Sequence, residues 1–361
     1  HLAMAFSRLF PGNTENVIAI NGAGFNFANT NVNNLIVMLG GAPSFDASKI
    51  SNVIGSAAPN VVSQDWLFLQ QPAGRQEIYT ESASPSTTFG HSSSQMTDSL
   101  AVYDLFIRLS AQVRNSTPTE ALTMLRPLFE AGSAQADSSL ERVVDALVNL
   151  FGWDFPPLAG SLNNNREEFY RRIVSLQAIT KNLSDNNPGM HVDVLTAGST
   201  TAESMASLAS GSEAIAYRYA LKALNPFAVV GDNSLYSIHN QNGELDLYNP
   251  VYKTGNLTSD WLADRAEFLA QKNITNIADV TSIISPEFGI DNRTQFIDVA
   301  SSYALTLSEV ELPAHSVSAR QIAFGSDASE FLEGGSKSDK LYGNAGADYL
   351  RGKLNNDHLE G

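Results

Sequence analysis

The alternation of apolar and polar residues predicts helices and strands in turn over the first third of the chain. Residues 1–10 place Leu2, Phe6, Leu9 and Phe10 on one face of a helix. Residues 16–25 are an apolar run that ends in glycines, which is typical of a buried strand followed by a tight turn. The same reasoning predicts short strands at 60–65 and 76–79 and a helix at 95–109. This order favours the α/β class.

Residues 114–230 have the apolar spacing of helices. A capping box with proline at the first helical position opens one of them at Thr117 and Glu120. Ser138 and Glu141 open a second, which Gly152 ends. The apolar faces of the remaining helices are expected to be core, with no ligand. Two of these apolar faces consist of Leu140, Val144, Leu147 and Phe151, and of Phe169, Ile173 and Leu176. A further helix is predicted at 212–224.

A connector follows at 231–320. The dipeptide Asn242-Gly243 predicts a type I′ turn, and therefore a β-hairpin over 233–248 with His239 as a half-buried strand residue. A capped amphipathic helix is expected at 258–271 and a strand at 295–307.

Four nonapeptides in one register close the chain: GSDASEFLE, GGSKSDKLY, GNAGADYLR and GKLNNDHLE, starting at Gly325. The eighth residue is always leucine, and the sixth is acidic. This pattern matches the G-G-x-G-x-D-x-U-x repeat of calcium-binding parallel β-rolls, of the RTX (hemolysin-type) kind, in which the apolar residue points inward and turn carbonyls face a hard cation. A disordered glycine- and aspartate-rich tail is the alternative. The predicted calcium ligands are Glu330, Asp339, Asp348 and Asp357.

Composition and residue spacing disfavour several classes of function. The net charge of −16, with only 22 basic residues, disfavours a nucleic-acid groove. The chain contains no cysteine, so metal rather than disulfides is expected to stiffen a secreted fold. The chain contains no run of 18 apolar residues, so no transmembrane segment is predicted. No two histidines have metal-ligand spacing, so zinc is not supported.

The front of the chain also resembles a known family. HLAMAFSRLFPG followed by NVIAINGAGF is similar to the stretch directly after the nucleophile elbow in lipases and phospholipases of the α/β-hydrolase fold that carry C-terminal calcium repeats. In that family G-H-S-L-G-G precedes H-L-A. No G-x-S-x-G occurs in the 361 residues. The resemblance implies a serine just upstream of His1, a chain truncated at both ends, and no activity in the chain as given.

The catalytic base is predicted from chain order, since the acid and then the histidine follow the serine in this fold. His91 lies between a strand and a helix, and its segment H-S-x-x-x-M-T-D-S-L-A-V-Y resembles the family's histidine segment. A structural role at the helix start is the alternative. Asp65, at the end of the predicted strand 60–65, is the candidate acid; Asp46, Glu77 and Glu81 are its rivals. Asp98 is expected to face solvent or to cap a turn.

These observations predict an α/β protein in four parts. They are the C-terminal part of a hydrolase core (1–113), a helical region (114–230), the hairpin-containing connector (231–320) and a parallel β-roll (321–361). The predicted parent is a secreted, extracellular bacterial lipase or phospholipase A1-like ester hydrolase. It binds Ca²⁺, takes a lipid or ester substrate, and leaves the cell through a type I secretion apparatus. The alternative is a non-enzymatic calcium-binding module of a large RTX adhesin or toxin.

Overall fold

The computed structural model describes residues 2–20, 30–56, 75–81, 93–135, 138–158, 166–212, 214–289, 292–310 and 318–361. The helices are α1 (Leu2–Leu9), α2 (Thr30–Met38), α3 (Ser93–Leu109), α4 (Ala111–Arg114), α5 (Pro118–Glu130), α6 (Ser139–Leu150), α7 (Arg166–Asn186), α8 (Ala202–Ala209), α9 (Ile215–Lys222) and α10 (Ser259–Ile277). The strands are β1 (Val17–Ile20), β2 (Ile50–Gly55), β3 (Arg75–Ile78), β4 (His191–Val194), β5 (Phe227–Val230), β6 (Ser282–Ile284), β7 (Thr294–Asp298), β8 (Tyr303–Ser308), β9 (Arg320–Phe324), β10 (Phe331–Glu333), β11 (Lys340–Tyr342), β12 (Tyr349–Arg351) and β13 (His358–Glu360).

The first three strands form a parallel sheet in the order β1-β2-β3. Helix α1 covers one of its faces, where Met4 packs against Val17 and Ile50. On the other face Ile78 joins the main helical core, while Ile18 and Ile20 are 71% and 54% exposed. The mixture of helices and parallel strands confirms the expected α/β character of this part. The prediction missed α2 and β2, which have weak apolar periodicity.

The helical region follows its sequence signals closely. The capping box is formed in full, because Thr117 Oγ1 accepts from the Glu120 amide and the Glu120 carboxylate accepts from the Thr117 amide. Helix α6 ends at Leu150, and Gly152 follows its C-cap Phe151 with a left-handed φ of +68°, as the glycine after a helix commonly does. The region also contains two antiparallel strands, β4 and β5, which the sequence did not predict. Strands of four residues are too short to stand out among helices.

The structure contradicts the predicted hairpin in the connector and the position of His239 on one of its strands. Residues 233–248 do not form a hairpin: Asn233–His239 is a 3-10 helix capped by Asp232, which accepts from the Ser234 amide at 3.0 Å. The 3-10 helix buries Tyr236, whose hydroxyl donates to the Val229 carbonyl at 2.5 Å. A turn does form at Asn242-Gly243, with a φ of +85° at Gly243, but the described residues on either side of it form no paired strands. His239 is half-buried as expected, but it lies on this 3-10 helix and its Nε2 contacts the Leu150 carbonyl at 3.0 Å.

The predicted strand 295–307 is in fact two strands. β7 and β8 pair antiparallel across a tight turn, in which Ser302 has a φ of +56° and Asp298 accepts from the Ser301 amide at 3.2 Å. The helix predicted at 258–271 is confirmed and extends further, from Thr258 as its N-cap to Ile277.

The C-terminal part is a parallel β-strand region. A six-stranded sheet has the order β13-β11-β9-β7-β8-β6, and a two-stranded sheet pairs β10 with β12. One hydrophobic core runs from Ile78 through the helices to Tyr342, and a smaller one lies between the two sheets. None of the helices in the described ranges is long and apolar enough to span a membrane.

Candidate functional site

The four nonapeptides coil into a roll whose strands repeat every second block. Residues 18 apart pair in parallel, as Phe331 does with Tyr349 and Lys340 with His358. The glycine-rich turns therefore stack in two columns. The first column contains 325–330 and 343–348, and the second contains 334–339 and 352–357.

The eighth residues of the first three blocks point into the roll, as predicted. Leu332 and Leu341 are 6% and 0% exposed, and they pack with Leu350 between the sheets. Leu359, in the last strand, is 47% exposed.

The three aspartates at the sixth position use their two oxygens differently, whereas the Glu330 carboxylate accepts from the amide and the hydroxyl of Ser326 in its own turn. One oxygen binds the neighbouring coil: Asp348 Oδ1 accepts from the Glu330 amide at 2.9 Å, and Asp357 Oδ1 accepts from the Asp339 amide at 2.9 Å. Asp339 Oδ1 likewise accepts from the Gln321 amide at 2.7 Å. The carboxylates therefore tie successive coils together through backbone amides.

The second oxygen turns back to the glycine that opens the same block. A Cβ at Gly343 would come within 2.6 Å of Asp348 Oδ2, and side chains at Gly334 and Gly352 would collide with Asp339 and Asp357 in the same way. Only glycine leaves room for this approach. The glycine and the acid of each block are thus a spatial pair five residues apart, which explains their fixed spacing.

The donor set of these turns fits a hard cation. Asp348 Oδ2 is buried and has no hydrogen-bond partner among the described residues. Burial, helped by the charge of Asp357, raises the pKa of Asp339 above its usual value, while hydrogen bonds from the Gln321 and Gly335 amides oppose that shift. No three His, Cys, Asp or Glu side chains gather at one point in the described ranges. Any cation here would therefore take most of its ligands from turn carbonyls, as Ca²⁺ tolerates.

A comparison with known families decides the nature of this region. Residues 324–359 match the model of the RTX calcium-binding nonapeptide repeat in four copies. The C-terminal coils are RTX repeats. Such RTX repeats bind Ca²⁺ and are typical of secreted bacterial proteins. No curated protein and no solved structure matches the chain.

The second candidate site lies at the carboxyl edge of the front sheet. Ser56 follows β2 and donates its amide to the Ile78 carbonyl of β3 at 2.9 Å, and the Thr80 amide donates to Ser56 Oγ at 3.3 Å. The ends of β2 and β3 are therefore adjacent. Asp65 and His91 come later in the two segments that leave these ends, and both lie outside the described residues.

The three rival acids are within the described ranges, and each has another task. Asp46 precedes β2 at the amino edge of the sheet, where it caps a 3-10 turn by accepting from the Ser48 amide at 3.1 Å. Glu77 is on β3 and faces Arg126 at 3.5 Å, with its side chain 53% exposed. Glu81 is buried just past β3, and its Oε1 accepts from the Leu140 amide at 2.5 Å, at the start of α6.

Asp98 was expected at the surface and is instead 1% exposed. It accepts from Arg166 Nη1 at 2.6 Å and from the Tyr170 hydroxyl, while Arg166 also pairs with Glu141. The partly buried guanidinium of Arg166, on α7, provides the countercharge. The sequence does not reveal this pair, because Arg166 is far from Asp98 along the chain. Burial raises the pKa of both Glu81 and Glu141, and their mutual repulsion adds to the rise at Glu81.

Proposed function

We propose that this chain belongs to a secreted serine ester hydrolase, lipase or phospholipase A1-like, with His91 as the base and Asp65 as the acid. The nucleophilic serine would lie in the sequence that precedes His1. In the reaction the serine attacks the ester carbonyl while His91 accepts its proton, and His91 then donates the proton to the leaving alcohol. Asp65 orients the imidazole and stabilises its cationic form.

The arrangement of the front sheet carries this proposal. Its three parallel strands follow chain order, and the segments that bear Asp65 and His91 leave the neighbouring carboxyl ends of β2 and β3. Carboxyl ends of parallel strands are where ligands and catalytic groups of α/β sheets gather. In α/β-hydrolases the acid and the histidine occupy such positions in this order after the serine.

The free side of β1 supports the position of the serine. Among the described residues β1 pairs only with β2, so its other edge has no strand partner. A strand that precedes α1 and ends in the nucleophile elbow would pair with this edge, and α1 would then follow the serine directly.

The repeats supply the calcium dependence of the proposed protein. We propose that Asp339, Asp348 and Asp357, with Glu330 in the first block, contribute one carboxylate oxygen each to Ca²⁺ between the stacked turns. Extracellular calcium sites bind at roughly 10⁻⁴ to 10⁻³ M, so the roll would remain unfolded in a low-calcium cytoplasm. This suits export as an unfolded chain through a type I secretion apparatus.

Hydrolysis of p-nitrophenyl esters by the complete protein tests the triad. The His91→Ala variant should lose activity on the order of 10⁶-fold, because the serine then has no base. The matched control is His191→Ala, which removes a half-exposed histidine of β4 and should leave activity unchanged. Full activity in His91→Ala would overturn the proposal. A complete protein without esterase activity would favour the calcium-binding adhesin or toxin module.

A further inference from the structure

The roll is joined to helix α10 by contacts that reach its calcium turns. Three side chains of α10 and its cap face the roll: Thr258, Trp261 and Asp264. We call this set, with its partners on the roll, the roll anchor. The partners are Asn344, Lys340, Tyr342 and Glu360.

The indole of Trp261 binds a turn residue directly. Trp261 Nε1 donates to Asn344 Oδ1 at 2.8 Å, and Asn344 Nδ2 donates to the Gly325 carbonyl at 2.6 Å. Asn344 is the second residue of its block, where the repeat pattern has glycine, and its φ of +67° is left-handed. That conformation costs an L-residue about 1–2 kcal/mol, although asparagine tolerates it best outside glycine. The two hydrogen bonds hold this turn, and the turn before it in the same column, in place.

Asp264 holds the strand between the two columns. Its carboxylate accepts from Lys340 Nζ at 2.8 and 2.7 Å and from the Tyr342 hydroxyl at 2.5 Å. Lys340 directly follows Asp339, so this contact fixes the strand that leaves the second-block turn. Burial of the phenol, together with the carboxylate of Asp264, raises the pKa of Tyr342, which keeps the hydroxyl protonated as a donor.

The anchor acts on one side of the roll. The sheet β9-β11-β13 packs on α10 through Phe324, which stacks on Tyr342 at 5.0 Å and meets Trp261 edge-on at 5.8 Å. The outer face of β10-β12 has no such cover, since Phe331 and Tyr349 are 58% and 62% exposed. Helix α10 itself belongs to the main core and has its own cap at Thr258.

We propose that α10 sets the calcium affinity of the roll, with Trp261 and Asp264 as positioning residues for the calcium turns. A contact that exists only in the folded roll adds its free energy to calcium binding, because folding and binding are linked. The coupling is reciprocal, so calcium must also stabilise α10.

The test is a calcium titration of the chain, followed by far-UV circular dichroism, with calcium as the only ligand. Trp261→Phe keeps an aromatic ring in the core and removes the indole N–H. Asp264→Asn keeps an acceptor and removes the charge. A hydrogen bond is worth about 0.5–1.5 kcal/mol, and 1.4 kcal/mol is a factor of ten, so each variant should raise the calcium midpoint about twofold to twelvefold if one ion binds, and less if several bind together.

Trp153→Phe is the matched control, because Trp153 follows α6 and has no contact with the roll in the described ranges. Its calcium midpoint should equal that of the unsubstituted chain. Hydrogen exchange provides the second reading: calcium should slow exchange across 259–277, and less so in Trp261→Phe. If Trp261→Phe fails to fold, the calcium midpoint of Asp264→Asn tests the proposal by itself. Midpoints of Trp261→Phe and Asp264→Asn equal to that of the control would overturn the proposal, as would exchange in α10 that ignores calcium.

Discussion

Replacing Leu341 by alanine should sharply weaken the folding of the roll. Leu341 is 0% exposed and packs between the two sheets against Leu332 and Leu350. A buried leucine cut to alanine loses its transfer free energy and leaves a cavity, which together cost about 2–5 kcal/mol. This corresponds to a change of about 30-fold to 4,000-fold in the folding equilibrium constant.

Leu359→Ala is the matched control. Leu359 has the same place in its block and the same chemistry, but it is 47% exposed. Since about half of its apolar surface already faces water, its removal should cost only about 1 kcal/mol. The comparison therefore separates burial in the roll from the mere presence of leucine at the eighth position.

Calcium titration followed by far-UV circular dichroism measures both variants. The midpoint should rise far more for Leu341→Ala than for Leu359→Ala. If several ions bind in one cooperative transition, the shift per ion is smaller, because the cost is divided among them. Equal midpoints for the two variants would refute the roll interior described above.

Three further outcomes are expected. Burial raises the pKa of Glu81 well above its usual 4.5, so the folded protein holds a proton that the unfolded chain releases. The free energy of unfolding should therefore fall as pH rises above about 4.5, by at most about 1.4 kcal/mol per pH unit. Urea unfolding at several pH values should show a flatter pH profile for Glu81→Gln. Asp348→Asn should raise the calcium midpoint about tenfold or more, because it removes the charge of a proposed calcium ligand, whereas Glu333→Gln, on a partly exposed strand residue, should not. Arg265→Met should lower the free energy of unfolding by about 3–5 kcal/mol, measured with urea, because it leaves Asp298 buried without its partner at 2.8 Å; an unchanged midpoint would show that the pair is dispensable.

The repeats were predictable because their chemistry is local. Each block contains its own glycine, acid and leucine, and the spacing alone places the acid over the glycine. The register of 18 residues then follows from the repetition. Capping at Thr117 and the end of α6 just before Gly152 were predictable for the same reason.

The errors concern residues whose place depends on distant partners. Asn242-Gly243 favours a hairpin locally, but Tyr236 gains more by reaching the core through a 3-10 helix. Asp98 has the sequence surroundings of a surface residue, and its buried carboxylate is satisfied by Arg166 and Tyr170, which α7 brings near. The bond between Trp261 and Asn344 was not predicted either, because the two residues are far apart along the chain and the departure of Asn344 from the repeat's glycine does not reveal its partner.

The most direct test of the central proposal is covalent labelling of the complete protein with a serine-reactive fluorophosphonate, followed by peptide mass mapping. We predict one labelled serine, in the peptide that immediately precedes His1, and loss of that labelling in His91→Ala. Absence of any label, or a label on a serine within residues 1–361, would contradict the assignment of this chain to a serine hydrolase.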